Sequence, residues 1–143
     1  MAVVYSQGSF DILHHGHINI LRKCRKLAGT VGRVVVSLLT DESYTLYRGY
    51  VPALPFEDRK AVLEACMYVD QVIEGDNRKT AEEITALKPD IVVVGSDWAK
   101  KDIFAQYNVT PDFFDQNDAT LIYLPYTEGI SSTEIKKRIC NFS

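Results

Sequence analysis

Uninterrupted runs of apolar, mostly β-branched residues punctuate the chain. Ala2–Ser6, Arg33–Leu39, Gln71–Ile73, Ile91–Val94 and Thr120–Leu124 predict strands. A continuous apolar run, rather than alternation, marks a strand covered on both faces, as in a parallel sheet. Between these runs the apolar positions recur at helical spacing and predict helices over Ile18–Ala28, Glu57–Met67, Thr80–Leu87 and Ser132–Cys140. The first is the clearest: Ile20, Leu21, Cys24, Leu27 and Ala28 form one stripe, and Gly29 provides a stop. Strand alternating with helix predicts an α/β fold with a doubly wound parallel five-stranded sheet and right-handed crossovers. Ligands of such sheets bind beyond the carboxyl ends of the strands.

Composition narrows the function classes. A chain of 143 residues makes one domain, 1–143, with 46% apolar and 24% charged residues, the mix of a globular protein. A net charge of −3 and no basic face argue against a nucleic-acid binder, though a local anion site is compatible with them. Cys24, Cys66 and Cys140 are sparse and odd in number, which predicts reduced thiols and a cytoplasmic location. There is no signal-peptide pattern at the N-terminus, and no apolar run is long enough to span a bilayer. Two stretches, Thr40–Phe56 and Ser96–Ala119, are long for loops, the length at which binding loops and partly helical excursions both occur.

The chemistry concentrates after the first strand. Gly8-Ser9-Phe10-Asp11-Ile12-Leu13-His14-His15-Gly16-His17 holds all three histidines of the chain. His17 lies three residues before Ile20 and so continues the buried stripe at the helix N-terminus, with His14 one short turn earlier and His15 directed elsewhere. Free N–H groups, the positive end of the helix dipole and imidazole donors together suit a phosphate chain. Two other readings stand beside this one: a transition-metal site on His14, His15 and His17 with Asp11, and histidines that only pack.

A counterpart follows the last strand. Ser131-x-x-Glu134 reads as a capping box, and Ser131, Ser132 and Thr133 set three hydroxyls on one helix start, a second anion site. Lys136, Lys137 and Arg138 read as solvated residues matching the helix dipole. In the second predicted helix, Arg59 shares a stripe with Val62, Leu63 and Cys66. An arginine there requires a partner, either a phosphate or an ion pair with Asp58 or Asp41.

These segments resemble the cytidylyltransferase family of the HxGH nucleotidyltransferase superfamily, with a Rossmann-like domain, and within it the glycerol-3-phosphate cytidylyltransferases. The ten residues from Gly8 to His17 resemble the family's G-T-F-D-x-x-H-x-G-H. Thr127-Glu128-Gly129-Ile130-Ser131-Ser132-Thr133 resembles its T-E-G-I-S-T-T. Tyr68–Ile73 and Gly95-Ser96-Asp97-Trp98 match further landmarks in order.

The resemblance implies transfer of CMP from CTP to a small phosphomonoester, such as a polyol phosphate, with release of pyrophosphate. It implies Mg²⁺ accompanying the phosphates, and a homodimer. Gly8, Ser9, Phe10, His14, Gly16 and His17 would hold the nucleotide, with Gly95, Asp97, Trp98 and the segment Tyr126 to Thr133. His14, His17 and Arg59 would be catalytic.

Departures concern the cations. Tyr126 and Met67 stand where the glycerol-phosphate enzymes have arginine, and a lysine-rich stretch after the second strand is reduced to Arg48. Arg48 and Lys79 are therefore the expected acceptor contacts. An ATP-dependent adenylyltransferase and a non-catalytic nucleotide-binding module are the competing functions.

Overall fold

The computed structural model describes residues 1–141, apart from the side chain of Asp97. Five parallel strands form one sheet in the order β3-β2-β1-β4-β5. They are β1 (Val3–Gly8), β2 (Arg33–Leu39), β3 (Gln71–Gly75), β4 (Ile91–Gly95) and β5 (Thr120–Leu124). The helices are α1 (His15–Ala28), α2 (Asp41–Arg48), α3 (Phe56–Glu64), α4 (Thr80–Leu87), α5 (Ile103–Tyr107), α6 (Phe113–Gln116) and α7 (Ser132–Cys140).

Alternate strand residues serve opposite faces. Val4, Val34 and Val93 pack on Cys24 and Ala28 of α1, and Val36 and Leu38 pack with Leu21 and Leu63. On the other face, Tyr5, Val92 and Val94 pack with Ile84 of α4, Ile103, Tyr107 and Phe114. The chain winds outward from β1 through β2 to β3, then returns across the sheet to β4. The strand order therefore reverses between β1 and β4, and a crevice opens there at the carboxyl ends.

Both long stretches contain helix. The first holds α2, capped by the Thr40 hydroxyl, which accepts from Ser43 N–H at 3.1 Å, and stopped by Gly49 in left-handed backbone (φ 84°). The second holds α5 and α6. α3 ends at Glu64, short of the expected Met67, because Ala65 N–H and Cys66 N–H turn back onto Ala61 and Leu63 carbonyls. Val62 is exposed, so the buried side of α3 is Arg59 with Leu63. Among the described residues no helix is long and apolar enough to cross a membrane.

Candidate active site

Two imidazoles build the start of α1. His14 is its N-cap: Gly16 N–H donates to His14 Nδ1 at 3.1 Å, and His14 N–H donates to His17 Nδ1 at 3.2 Å. Both Nδ1 atoms accept, so each neutral ring carries its proton on Nε2. The rings lie 3.9 Å apart between centroids, and Phe10 covers His17 at 5.3 Å. Burial, aided by the neighbouring His14, pushes His17 down to about 4; burial and His15 also lower His14. At neutral pH the pair presents uncharged N–H donors. A Cβ at Gly16 would fall 2.9 Å from His14 Cε1, so a side chain there would push the His14 ring out of its capping position.

The end of the chain closes over that start. Ser131 caps α7, its hydroxyl accepting from Glu134 N–H at 3.1 Å, and the Ser132 hydroxyl donates to the Asp11 carbonyl. Asn19 of α1 donates to the Thr127 hydroxyl at 2.8 Å. The Asp11 side chain, 2% exposed, accepts from Ala53 and Leu54 N–H at 2.8 and 3.0 Å and pairs with Lys136 at 2.9 Å. Burial alone would raise Asp11, but these hydrogen bonds and the ammonium charge outweigh it and hold the carboxyl below its ordinary range.

Between the two helix starts lies a cavity of about 470 Å³. Gly8, Ser9, Phe10, His14, Gly16 and His17 line it from the β1 side, Gly95 and Trp98 from β4. Tyr126, Thr127, Ile130, Ser131, Ser132 and Thr133 line it from the C-terminal segment, and Arg48 from α2. Glu128 and Gly129 do not line it; they form the turn before α7, with Gly129 at φ 81°. The side chain of Asp97 lies outside the described residues. Tyr126 leans on β4: a Cβ at Gly95 would fall 2.1 Å from its hydroxyl oxygen.

Several expectations are corrected. Arg59, expected among the catalytic groups, does not line the cavity. It is 1% exposed, and its guanidinium donates to the carbonyls of Leu54, Ser9 and Leu39 at 2.9, 2.9 and 2.8 Å and to Asp41 at 2.6 Å. Its partners are loop and strand ends, so it fixes the site from beneath. Lys79, expected on the acceptor, borders a separate shallow depression with Glu74, Asp76 and Glu82. Lys136 is not a solvated residue: its Nζ also donates to the Tyr44 hydroxyl at 3.2 Å, and it lines the cavity. Burial works to lower Lys136, but Asp11 and Tyr44 outweigh it and hold the ammonium above its ordinary value. The metal reading of the histidines fails on geometry. His15 is exposed and away from the cavity, and both other rings give Nδ1 to main-chain amides.

Sequence reasoning missed Lys136, Tyr44, Tyr47, Tyr50, Gln7 and Asn77, all of which line the cavity. One signal was available: Ser132 and Lys136 are four apart on α7, hence on one face.

Comparison with known proteins agrees with this geometry. Residues 5–138 match the cytidylyltransferase-like family. The chain is 35% identical over 140 residues to glycerol-3-phosphate cytidylyltransferase of Bacillus subtilis (strain 168), covering 97% of this chain and 98% of that protein. It is 36% identical over 102 residues to FAD synthase of Archaeoglobus fulgidus, covering 67% and 71%. Among solved structures it is similar to the lipopolysaccharide core biosynthesis protein of Thermoplasma volcanium GSS1, with a TM-score of 0.66, 27% identity, and 89% and 97% coverage. A parallel sheet whose first and last helix starts share one cavity, in a chain matched almost end to end, belongs to the cytidylyltransferase-like family.

Proposed function

We propose that the protein moves CMP from CTP to the phosphate of a small polyol phosphate and releases pyrophosphate. The observation that carries this reading is the meeting of two helix N-termini, at His14–His17 and Ser131–Thr133, over one cavity. The similarity to glycerol-3-phosphate cytidylyltransferases supports the nucleotide and the acceptor class.

In the proposed reaction an acceptor phosphate oxygen attacks the α-phosphorus in line and forms the new P–O bond. The bond from the α-phosphorus to the bridging oxygen breaks, and pyrophosphate leaves with its electron pair. The chain's own work is positioning and charge stabilisation. Nε2–H groups of His14 and His17 donate to phosphate oxygens, as do the N–H groups at the start of α7 and the hydroxyls of Ser131 and Thr133. Neutral imidazoles do this without a proton changing hands. Among the described residues no cluster of three His, Cys, Asp or Glu is arranged to hold a metal, and Asp11 is consumed by Lys136, Ala53 and Leu54. These residues suit a Mg²⁺ that arrives on the nucleotide phosphates, where it supplies charge neutralisation.

The test is pyrophosphate release from CTP with Mg²⁺ and a panel of phosphomonoesters. Release with a polyol phosphate is expected; no release with any nucleoside triphosphate overturns the reading. A larger thermal shift with ATP than with CTP would move the protein to the adenylyltransferase side of the superfamily. Nucleotide binding without turnover would make it a binding module. By resemblance the active form is a homodimer, to be checked by light scattering. The sparse and odd number of cysteines supports a reducing, cytoplasmic setting.

A further inference from the structure

The cavity has two sides about β1. Gly95, Trp98 and Tyr126 line it toward β4, while Leu39, Tyr44, Tyr47, Arg48 and Tyr50 line it toward β2. The β2 side combines cations with aromatic rings. Lys136 Nζ lies 5.7 and 5.4 Å from the ring centroids of Tyr44 and Tyr50, which meet edge to face at 5.8 Å. The Arg48 guanidinium lies 5.3 Å over the Tyr47 ring. Resting on the rings holds both cations in place while leaving donors unused. An ammonium has three N–H groups; Asp11 and Tyr44 take two from Lys136, which leaves one for a ligand.

On the reading above, we propose that this side is an acceptor subsite for a phosphorylated ring rather than a short open chain, with Lys136 and Arg48 on the phosphate and Tyr47 and Tyr50 against the ring. Tyr44 is buried and braces the cluster, but Tyr47 and Tyr50 are 43% and 49% exposed and offer wide aromatic surfaces. An aromatic face is electron-rich, and the C–H bonds on one face of a cyclic polyol are its electrostatic complement. A rigid ring covers such a surface with little loss of conformational freedom, whereas a three-carbon chain leaves most of it wet.

The test compares a pyranose phosphate with glycerol phosphate in pyrophosphate release by the full chain with CTP and Mg²⁺. The ring phosphate is expected to have the higher kcat/KM, by about tenfold. Tyr50→Ala and Tyr47→Ala are each expected to raise its KM about tenfold while leaving the KM for CTP within about twofold. Tyr50→Phe is expected to retain the wild-type KM, because the ring face remains. Turnover of glycerol phosphate at equal or higher efficiency overturns the ring preference and leaves nucleotidyl transfer standing. A rise in the KM for CTP in Tyr50→Ala, with the acceptor KM unchanged, overturns the subsite. No pyrophosphate from any acceptor removes both this inference and the reading beneath it.

Discussion

The hydroxyl of Ser132 donates to the main-chain carbonyl of Asp11, joining residues 121 positions apart. This bond fastens the start of α7 to the loop that leads into α1. Removing it in Ser132→Ala is expected to cost about 1 kcal/mol of stability, read as a lower urea midpoint. The same substitution should lower kcat/KM for the nucleotide by about fivefold or more, since the two helix starts then lose their register. An unchanged midpoint and unchanged kinetics would show that the bond holds nothing.

His14 caps α1 and also faces the cavity, and two substitutions separate these roles. Asparagine is a strong N-cap but lacks Nε2. His14→Asn is expected to keep the wild-type melting temperature and to lose about a hundredfold in turnover, and His14→Ala and His17→Ala are expected to lose as much. Pyrophosphate release and circular dichroism together check this. Near-wild-type turnover in His14→Asn would reduce His14 to a cap.

Protonation of His17 must break its bond from His14 N–H, so acid should loosen the start of α1. Its folded value, about 4, lies below the ordinary 6.5, so the unfolded chain binds more protons between those limits. The stabilisation is therefore present above pH 6.5 and lost as the pH falls toward 4. Asp11 is also lowered, but from 3.8, so its contribution is lost only below that pH. Urea midpoints should fall between pH 7 and pH 5 in the wild type, and His17→Gln should flatten that slope.

Arg59→Ala leaves three carbonyls and Asp41 without their donor. A loss of about 3 kcal/mol or more is expected, seen as a lower melting temperature. Lysine cannot reproduce the fork of bonds, so Arg59→Lys should recover little of it. A folded Arg59→Ala with normal stability and a raised KM for CTP would return this residue to the phosphates.

Much of the fold was legible because buried parallel strands are written as apolar runs: Arg33–Leu39 and Thr120–Leu124 fall at the predicted bounds, as do helices Thr80–Leu87 and Ser132–Cys140. α2 was hidden because it buries only Ser43 and Tyr44, too little for a helical stripe, although Thr40, Asp41, Glu42 and Gly49 mark its ends. For Arg59 the sequence exposed an arginine in need of a partner, and Asp41 was one of the candidates. Its main-chain acceptors carry no sequence signature, so the scaffold role was not separable from a phosphate contact. Lys136 was read as solvated because its inward orientation depends on Asp11, far away in the chain.

Phe10 and Ile12 hold left-handed backbone, at φ 45° and 54°, on either side of Asp11. Neither residue favours that conformation, so the loop has no such resting shape of its own. It is kept there from outside: Arg59 takes the Ser9 carbonyl, Ala53 and Leu54 grip the Asp11 carboxylate, and α7 supplies Ser132 and Lys136. A protein clipped within residues 127–131 would keep its sheet yet let the loop relax, and adding back the severed tail as a peptide should restore the lost shape.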